Sequence, residues 1–261
     1  MRILFIGDVH GMHRQLADSL RQVQTDYRIE AAVQVGDFGF YKATMRQLAE
    51  EAIRFPIPLH VIDGNHEDHH WLQQALEAGR VPEWQAQYNL FYQPRPSIRQ
   101  FGLTKVGFIG GALHVDRPQQ HNVMSRSPNY ILAQQREQAR ILFNRERPDL
   151  IVTHSCPSRI GIGMRASDQL QQQACEHILA AGFDPGPVDD CGDTELTVLW
   201  QQLDYRPRAW IFGHFHSHHE AVIEGTRFVS VCDDINSMGR TLAIWDTEET
   251  FLMYCFADPS Q

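Results

Sequence analysis

The sequence predicts an α/β domain in which parallel strands are covered by helices. A short apolar segment, a polar turn containing glycine and an amphipathic segment follow one another three times within residues 1–78. This alternation is typical of neighbouring parallel strands with helices packed on the sheet. The chain has 261 residues, of which 43% are apolar. No repeat, low-complexity tract or linker divides it, so we expect residues 1–261 to form one soluble domain.

The three units are each defined by a strand followed by a helix. The first helix has Leu16, Leu20 and Val23 on one face, as the helical period requires. The strand and helix of each unit are Arg2–Ile6 and His13–Gln24, Ala32–Val35 and Thr44–Arg54, and Leu59–Ile62 and Asp68–Ala78.

The chain changes character after the third unit, where short apolar segments are separated by proline and glycine. We expect antiparallel strands at Asn89–Tyr92, Ser97–Phe101 and Lys105–Ile109, followed by a polar loop over residues 112–128 on the substrate side. Helices are expected at Asn129–Arg145, Ser167–Ala181 and Thr194–Leu203, the last capped by Asp193. Further strands are predicted at Leu150–Thr153 and Ala209–Phe212, and closing antiparallel strands at Arg227–Val231, Leu242–Trp245 and Phe251–Cys255.

Composition excludes several classes of protein. The formal net charge is −9, and Lys42 and Lys105 are the only lysines, which disfavours non-specific binding to nucleic acid or anionic lipid. No apolar run reaches the roughly 20 residues of a membrane-spanning helix, and the N-terminus lacks a signal peptide. We therefore expect a cytoplasmic protein without a membrane partner. No CxxC pair occurs, which favours reduced, buried thiols for the five cysteines, Cys156, Cys175, Cys191, Cys232 and Cys255.

Polar turns follow five of the predicted strands. In an α/β sheet the ligand site lies beyond the carboxyl ends of the strands, so these turns are expected to meet at one edge. Their carboxylate, imidazole and amide groups suit Mn, Fe or Zn. Asp37, a single carboxylate on the middle strand, fits a position between two ions about 3.5–4 Å apart. The five turns are Asp8-Val9-His10, Gly36-Asp37, Gly64-Asn65-His66-Glu67, Thr153-His154 and Gly213-His214-Phe215-His216.

The order DxH, GD, GNHE, H and GHxH resembles that of the calcineurin-like metallophosphoesterases, and the resemblance extends from Asp8 to His216. It implies a β-sandwich of two facing sheets flanked by helices, with two divalent or trivalent ions at one edge. By this resemblance, Asp37 bridges the two ions. The remaining ligands are Asp8, His10 and His216 for the first ion and Asn65, His154 and His214 for the second.

The resemblance also implies a reaction. Hydroxide generated on the metals would attack a phosphate ester or anhydride, while His66 contacts the substrate and protonates the leaving oxygen. We expect a small-molecule or nucleotide phosphate as substrate. Nucleic acid is the alternative substrate, and a non-catalytic scaffold on the same fold is a further alternative. Besides Asn65 and His66, the candidate residues for binding substrate are His114, Arg117 and Arg126.

Each motif also has a simpler interpretation. Asp8 and Asp37 precede predicted helices and could be N-caps. Glu67 is a candidate for orienting His66, and His69 is expected to face solvent at the start of its helix. The second block reads GDFGF and lacks the arginine that protein serine/threonine phosphatases carry in GDYVDRG, which puts membership of that branch in doubt.

Overall fold

The computed structural model describes residues 1–113, 128–163, 172, 176, 178–180, 182–231 and 242–255. None of the helices in these ranges is long and apolar enough to cross a bilayer. The helices are α1 (His13–Tyr27), α2 (Lys42–Glu50), α3 (His69–Glu77), α4 (Val81–Tyr88), α5 (Ala133–Glu146) and α6 (Thr194–Gln202). The strands are β1 (Arg2–Ile6), β2 (Ala31–Gln34), β3 (Leu59–Val61), β4 (Leu90–Tyr92), β5 (Ser97–Phe101), β6 (Thr104–Ile109), β7 (Leu150–Thr153), β8 (Ala209–Phe212), β9 (His219–Ile223), β10 (Thr226–Ser230), β11 (Leu242–Asp246) and β12 (Phe251–Cys255).

The strands form two mixed six-stranded sheets with helices on their outer faces, which confirms the predicted architecture. The first sheet has the order β12-β11-β1-β2-β3-β4, and the second has the order β5-β6-β7-β8-β10-β9. Strands β1 to β4 are parallel neighbours, as are β6, β7, β8 and β10. Strands β5, β9, β11 and β12 add the antiparallel edges.

Two strand directions differ from the sequence prediction. Strand β4 pairs parallel with β3, whereas we expected it to be antiparallel. The two strands are joined by α3, which was predicted, and by α4, a short helix with Pro82 in its first turn that was not. Together they form a helical crossover, which returns the chain in the parallel direction. Likewise β10 is parallel to β8 and antiparallel only to β9, a strand that was not predicted.

Strand β1 shows how the core is divided. Ile3 and Phe5 lie in the cluster between the two sheets, whereas Leu4 and Ile6 pack under the helices. Because both faces are covered, the strand reads as a continuous apolar run rather than an alternating one. Helices α5 and α6 cover the second sheet in the same way around a third cluster, which includes Trp210. Strands buried on both faces provide a rigid base for the turns that follow them.

The N-termini of the helices show whether Asp8 and Asp37 are N-caps. Asp193 caps α6, and its carboxylate accepts hydrogen bonds from the backbone N–H groups of Glu195 and Leu196 at 2.9 and 3.3 Å. By contrast, Met12 stands at the N-cap of α1 and Tyr41 at the N-cap of α2. Neither of the two aspartates that precede these helices is therefore a cap, and their burial needs another explanation.

His60 is a buried histidine in the short strand β3. Its ring stacks on Phe91 at 4.9 Å and meets Phe101 edge-on at 4.7 Å. The side-chain amide of Gln93 donates a hydrogen bond to Nδ1 at 3.1 Å, so that nitrogen carries a lone pair. Burial, assisted by the charge of Arg99, lowers the pKa of His60 to about 3. The imidazole is thus neutral in the folded protein at neutral pH.

We predict that His60 makes the protein less stable in acid. In the unfolded chain the histidine pKa is near 6.5. The neutral imidazole of His60 therefore stabilises the folded state fully above that pH, and this contribution is lost as the pH falls toward 3. The loss should reach about 3 kcal/mol at pH 4, at about 1.36 kcal/mol for each pH unit below the pKa of the unfolded chain. Urea unfolding of wild type and His60→Phe from pH 7.5 to pH 4 measures it. The difference in free energy of unfolding between wild type and His60→Phe should narrow or reverse as the pH falls. A difference that does not change with pH would contradict the prediction.

Candidate metal centre

Five strands from both sheets end at the same edge of the sandwich. Strands β1, β2 and β3 lead into the first three polar turns, and β7 and β8 lead into the other two. The turns are tied together by backbone hydrogen bonds, from His10 N to Asp37 O at 2.8 Å and from Gly213 N to His154 O at 2.9 Å. The structure brings together all seven predicted ligands: Asp8, His10, Asp37, Asn65, His154, His214 and His216.

The first group of ligand atoms comes from Asp8, His10 and His216, which lie within 4.8 Å of one another. Asp8 Oδ2 is 3.0 Å from His216 Nε2, and the two Nε2 atoms of His10 and His216 are 3.5 Å apart. Two ligands that bind one ion at about 2.0–2.2 Å, at angles of roughly 90–110°, lie about 3.0–3.5 Å apart. These side chains are therefore spaced as ligands of a single cation.

The second group comes from Asp8, Asp37 and His154. His154 Nε2 lies 3.3 Å from Asp37 Oδ2 and 3.0 Å from Asn65 Oδ1. Its other ring nitrogen, Nδ1, donates a hydrogen bond to the carbonyl of Val35 at 2.9 Å, since a carbonyl can only accept. This contact turns Nε2 toward the carboxylate and the amide oxygen, as is usual for a metal-binding histidine.

Among the described residues, three buried atoms at this edge make no hydrogen bond of normal geometry: Asp8 Oδ2 and Asp37 Oδ2, which face the ring nitrogens of His216 and His154, and His214 Nε2. Buried polar atoms nearly always have a partner, so three such atoms together require an explanation. Carboxylate and imidazole groups directed at one another suit divalent or trivalent cations such as Mn, Fe or Zn. The residues thus fit two metal ions. Asp8 is common to both groups, and the bridging role of Asp37 stays a prediction.

The electrostatics of the site favour a positive charge. Burial raises the pKa of Asp37, but the charge and the hydrogen bond of His154 outweigh it and hold that pKa below its usual range. Burial alone would lower the pKa of His154, yet the charges of Asp37 and Asp8 raise it to about 9. Burial and the charge of His154 lower the pKa of His214 to about 3. Two buried carboxylates therefore attract one positive charge, which a proton or a cation can supply.

Backbone strain is concentrated at the same edge. Four of the seven predicted ligands have positive φ angles: His10 at 47°, Asp37 at 55°, His214 at 69° and His216 at 51°. Such angles cost of order 1 kcal/mol or more for a residue other than glycine, and they tend to occur at functional sites. Glycine is required beside them. A Cβ on Gly64 would collide with Asp37 and His154, and one on Gly213 would collide with Asp8.

His66 lies beside the first group of ligands. Its backbone N–H donates a hydrogen bond to Asp37 Oδ1 at 2.8 Å, and its carbonyl accepts one from the hydroxyl of Tyr41 at 2.6 Å. Its ring centroid is 5.5 Å from that of His10, with the rings nearly perpendicular. The side chain is partly exposed. A backbone fixed on both sides and a partly exposed ring suit a group that meets substrate next to the ligands.

Glu67 has a different role from the expected one of orienting His66. Its carboxylate is buried and accepts hydrogen bonds from the backbone N–H groups of Phe38 and Gly39, both at 2.9 Å, and of Phe40. Glu67 therefore joins the third turn to the second and holds the residues that follow Asp37.

The substrate-binding candidates are only partly within the described chain. Asn65 and His66 lie at the metal edge. The loop predicted over 112–128 is described only at residues 112, 113 and 128. The predicted helix over 167–181 is likewise described only in part. His114, Arg117 and Arg126 all lie outside the described residues.

Two buried side chains that hold the ligand-bearing turns were not identified from the sequence. Gln34 is fully buried, and its amide nitrogen donates to the carbonyl of Gly7 at 3.0 Å while its oxygen accepts from Gly36 N at 3.1 Å. A glutamine inside an apolar strand was the available signal. His69, expected to face solvent, is instead 6% exposed and contacts the carbonyl of Gly64 at 2.9 Å. Both side chains fix the turns that carry the predicted ligands.

Two facing mixed sheets with Asp and His side chains gathered at one edge define a candidate binuclear metal centre on an α/β sandwich. The family model described as calcineurin-like phosphoesterase matches residues 1–218. The chain belongs to this family, as the order of the motifs indicated. Among curated proteins, none matches the sequence.

Solved structures share the fold at low sequence identity. The protein TT1561 of Thermus thermophilus is 13% identical, with 98% of both chains covered and a TM-score of 0.54. A dimetal phosphatase from Danio rerio is 14% identical, with 94% of this chain and 91% of that chain covered and a TM-score of 0.50. These likenesses support the two-sheet architecture of the family.

We predict that Glu67→Ala destabilises the protein strongly. The substitution leaves the buried N–H groups of Phe38, Gly39, Phe40 and Gly64 without this acceptor, which should lower the free energy of unfolding by about 3–5 kcal/mol. Glu77→Ala is the matched control, because Glu77 is exposed on α3 and should change stability by less than about 0.5 kcal/mol. Urea unfolding of both variants measures the difference. Equal stabilities would show that Glu67 does not hold the second turn.

Proposed function

We propose that this chain is a metal-dependent phosphoesterase that hydrolyses a phosphate ester or anhydride. The observation that carries the proposal is the set of buried ligand atoms on Asp8, Asp37 and His214 that lack a hydrogen bond of normal geometry within the described chain and lie together at the edge where five strands end. Buried polar atoms with a purely structural role are normally hydrogen-bonded, whereas the ligand atoms of a cation site are left for the ion. Membership of the calcineurin-like phosphoesterase family supports the same reaction.

The proposed ligands divide between two ions. Asp8, His10 and His216 would hold the first, and Asn65, His154 and His214 would hold the second, with Asp37 between them. When bound, such ions lower the pKa of water and stabilise negative charge on phosphate oxygens. The backbone contacts of this edge hold the ligands in position before any substrate arrives, so little reorganisation is needed during the reaction.

The proposed proton donor is His66. Its ring stands next to that of His10 and is partly exposed, so a phosphate ester at the ligands would have its leaving oxygen within reach. The ring is not needed to hold Asp37, since the backbone N–H of His66 makes that hydrogen bond. Proton transfer from the ring would matter most for a poor leaving group.

We further propose a small-molecule or nucleotide phosphate as the substrate class. The net charge of −9 supports this choice over a nucleic acid. Rates on p-nitrophenyl phosphate, bis(p-nitrophenyl) phosphate, mononucleotides and single-stranded oligonucleotides, with Mn²⁺, Fe²⁺ or Zn²⁺ added to metal-stripped protein, test it. Faster cleavage of oligonucleotides than of every small ester would establish the nuclease alternative instead.

We predict that Asp37→Asn abolishes hydrolysis and lowers the metal content below two ions per chain. Asparagine tolerates the positive φ of this position and keeps the shape of the side chain, so the variant tests the charge. Asp26→Asn, on the exposed side of α1, is the control and should behave as wild type. Metal analysis and p-nitrophenyl phosphate hydrolysis give the result. An active variant with two bound ions would overturn the binuclear proposal.

We predict that His66→Ala lowers kcat while two metal ions remain bound. The loss should be about 10²-fold or more for an alkyl phosphate, and much smaller for p-nitrophenyl phosphate, whose leaving group needs no proton. Comparing kcat on the two substrates for wild type and variant measures the effect. An equal loss on both substrates would contradict a proton-donor role for His66.

A further inference from the structure

A buried charge pair lies behind the turn that carries Asn65 and His66. Asp63, which precedes this turn, is almost fully buried. Its carboxylate accepts hydrogen bonds from the hydroxyl of Tyr92 at 2.9 Å and from Nε of Arg95 at 3.1 Å, and a second Arg95 nitrogen contacts its other oxygen. This carboxylate has protein donors on both oxygens, unlike those of Asp8 and Asp37, whose Oδ2 atoms make no hydrogen bond of normal geometry within the described chain.

The guanidinium of Arg95 is itself held in place. Its side chain is only 6% exposed, and one nitrogen donates to the carbonyl of Tyr130 at 3.0 Å. A Cβ on Gly111 would collide with the guanidinium group, so glycine leaves the space that the arginine occupies. The backbone of Gly111 also donates to the carbonyl of Asp63 at 2.8 Å. The pair is therefore fixed by contacts from three segments of the chain.

His69 connects this charge pair to the turn. Its Nε2 lies 2.9 Å from the carbonyl of Gly64, and its Nδ1 lies 3.6 Å from Asp63 Oδ2. A carbonyl oxygen can only accept, so Nε2 is the nitrogen that carries the proton. The carboxylate of Asp63 faces the opposite nitrogen of the ring at 3.6 Å, which is too long for a hydrogen bond. The Asp63–Arg95 pair therefore packs beside the ring and limits how it can turn.

The contact to Gly64 acts on the backbone between the charge pair and the predicted ligands. On the metal side this glycine packs against Asp37 and His154 so closely that a Cβ would collide with both. The turn therefore cannot move farther in that direction. The hydrogen bond from His69 holds the carbonyl of Gly64 against the start of α3. A shift of the turn that separates Asn65 from His154 by moving Gly64 away from α3 would have to break this hydrogen bond.

We propose that His69, oriented by the Asp63–Arg95 pair, is a positioning residue for Asn65 and His66. It acts through the carbonyl of Gly64 and contacts neither the proposed ions nor the substrate. The proposal rests on the proposed function for its effect on turnover, but its effect on metal affinity is independent of any substrate.

The test compares three variants of the full chain. His69→Leu removes the donor at similar volume, His69→Gln keeps an N–H at nearly the same reach, and His70→Leu alters the exposed neighbour on the same helix. Calorimetric titration with Mn²⁺ gives affinity and stoichiometry, and hydrolysis of p-nitrophenyl phosphate gives kcat and KM. His69→Leu should weaken Mn²⁺ binding at one site about 10–100-fold and lower kcat with little change in KM. His69→Gln should recover most of both, and His70→Leu should match wild type.

Either of two results would overturn the proposal. One is wild-type Mn²⁺ affinity in His69→Leu; the other is equal loss in His69→Gln and His69→Leu although both melt at the wild-type temperature. If His69→Leu does not fold, Arg95→Lys replaces it, because lysine keeps the charge but loses the two-point contact with Asp63. Mn²⁺ affinity should then fall in the same way. Wild-type protein that binds Mn²⁺ but hydrolyses no ester would overturn the proposed function, while the affinity comparison still decides the role of His69.

Discussion

The charge of two buried carboxylates, Asp8 and Asp37, is the constraint on which the rest of this edge depends. Both are about 1% exposed, and burial penalises their ionised forms, yet neighbouring histidines keep their pKa values below the usual range. Taking a carboxylate out of water costs several kcal/mol unless a positive charge accompanies it. The pKa of His154 is raised for the same reason, because the two carboxylates favour its protonated, positively charged form. Cations at the two groups of ligands would meet it fully.

The strands and the hydrogen bonds between turns offset the free-energy cost of the buried carboxylates and the strained turns. Strands buried on both faces end at the site, and their backbone groups bind one turn to the next. This frame holds four predicted ligands in left-handed backbone conformations that each residue alone would avoid. Buried polar side chains such as Gln34, Glu67 and His69 then satisfy the backbone groups that the turns leave without partners. Stability and site geometry are thus supplied by the same contacts.

The sequence was informative where the signal is local. Apolar runs that end in polar, glycine-bracketed turns predicted β1, β2 and β3, and the rule for the carboxyl ends of strands predicted that Asp8, Asp37 and Asn65 would meet. Strand β4 was given the wrong direction because it was grouped with the short segments separated by proline and glycine that follow it, although a helical crossover precedes it. The roles of Glu67 and His69 could not be read from the sequence, since they depend on backbone groups brought close only by folding.

Anomalous diffraction from crystals grown with Mn²⁺ would show whether this edge binds two cations. We expect two peaks about 3.5–4 Å apart, one next to Asp8, His10 and His216 and the other next to His154 and Asn65. Oδ2 of Asp37 and Nε2 of His214 should become ligands. A map with no peak at this edge, and with direct hydrogen bonds among these side chains instead, would contradict the account.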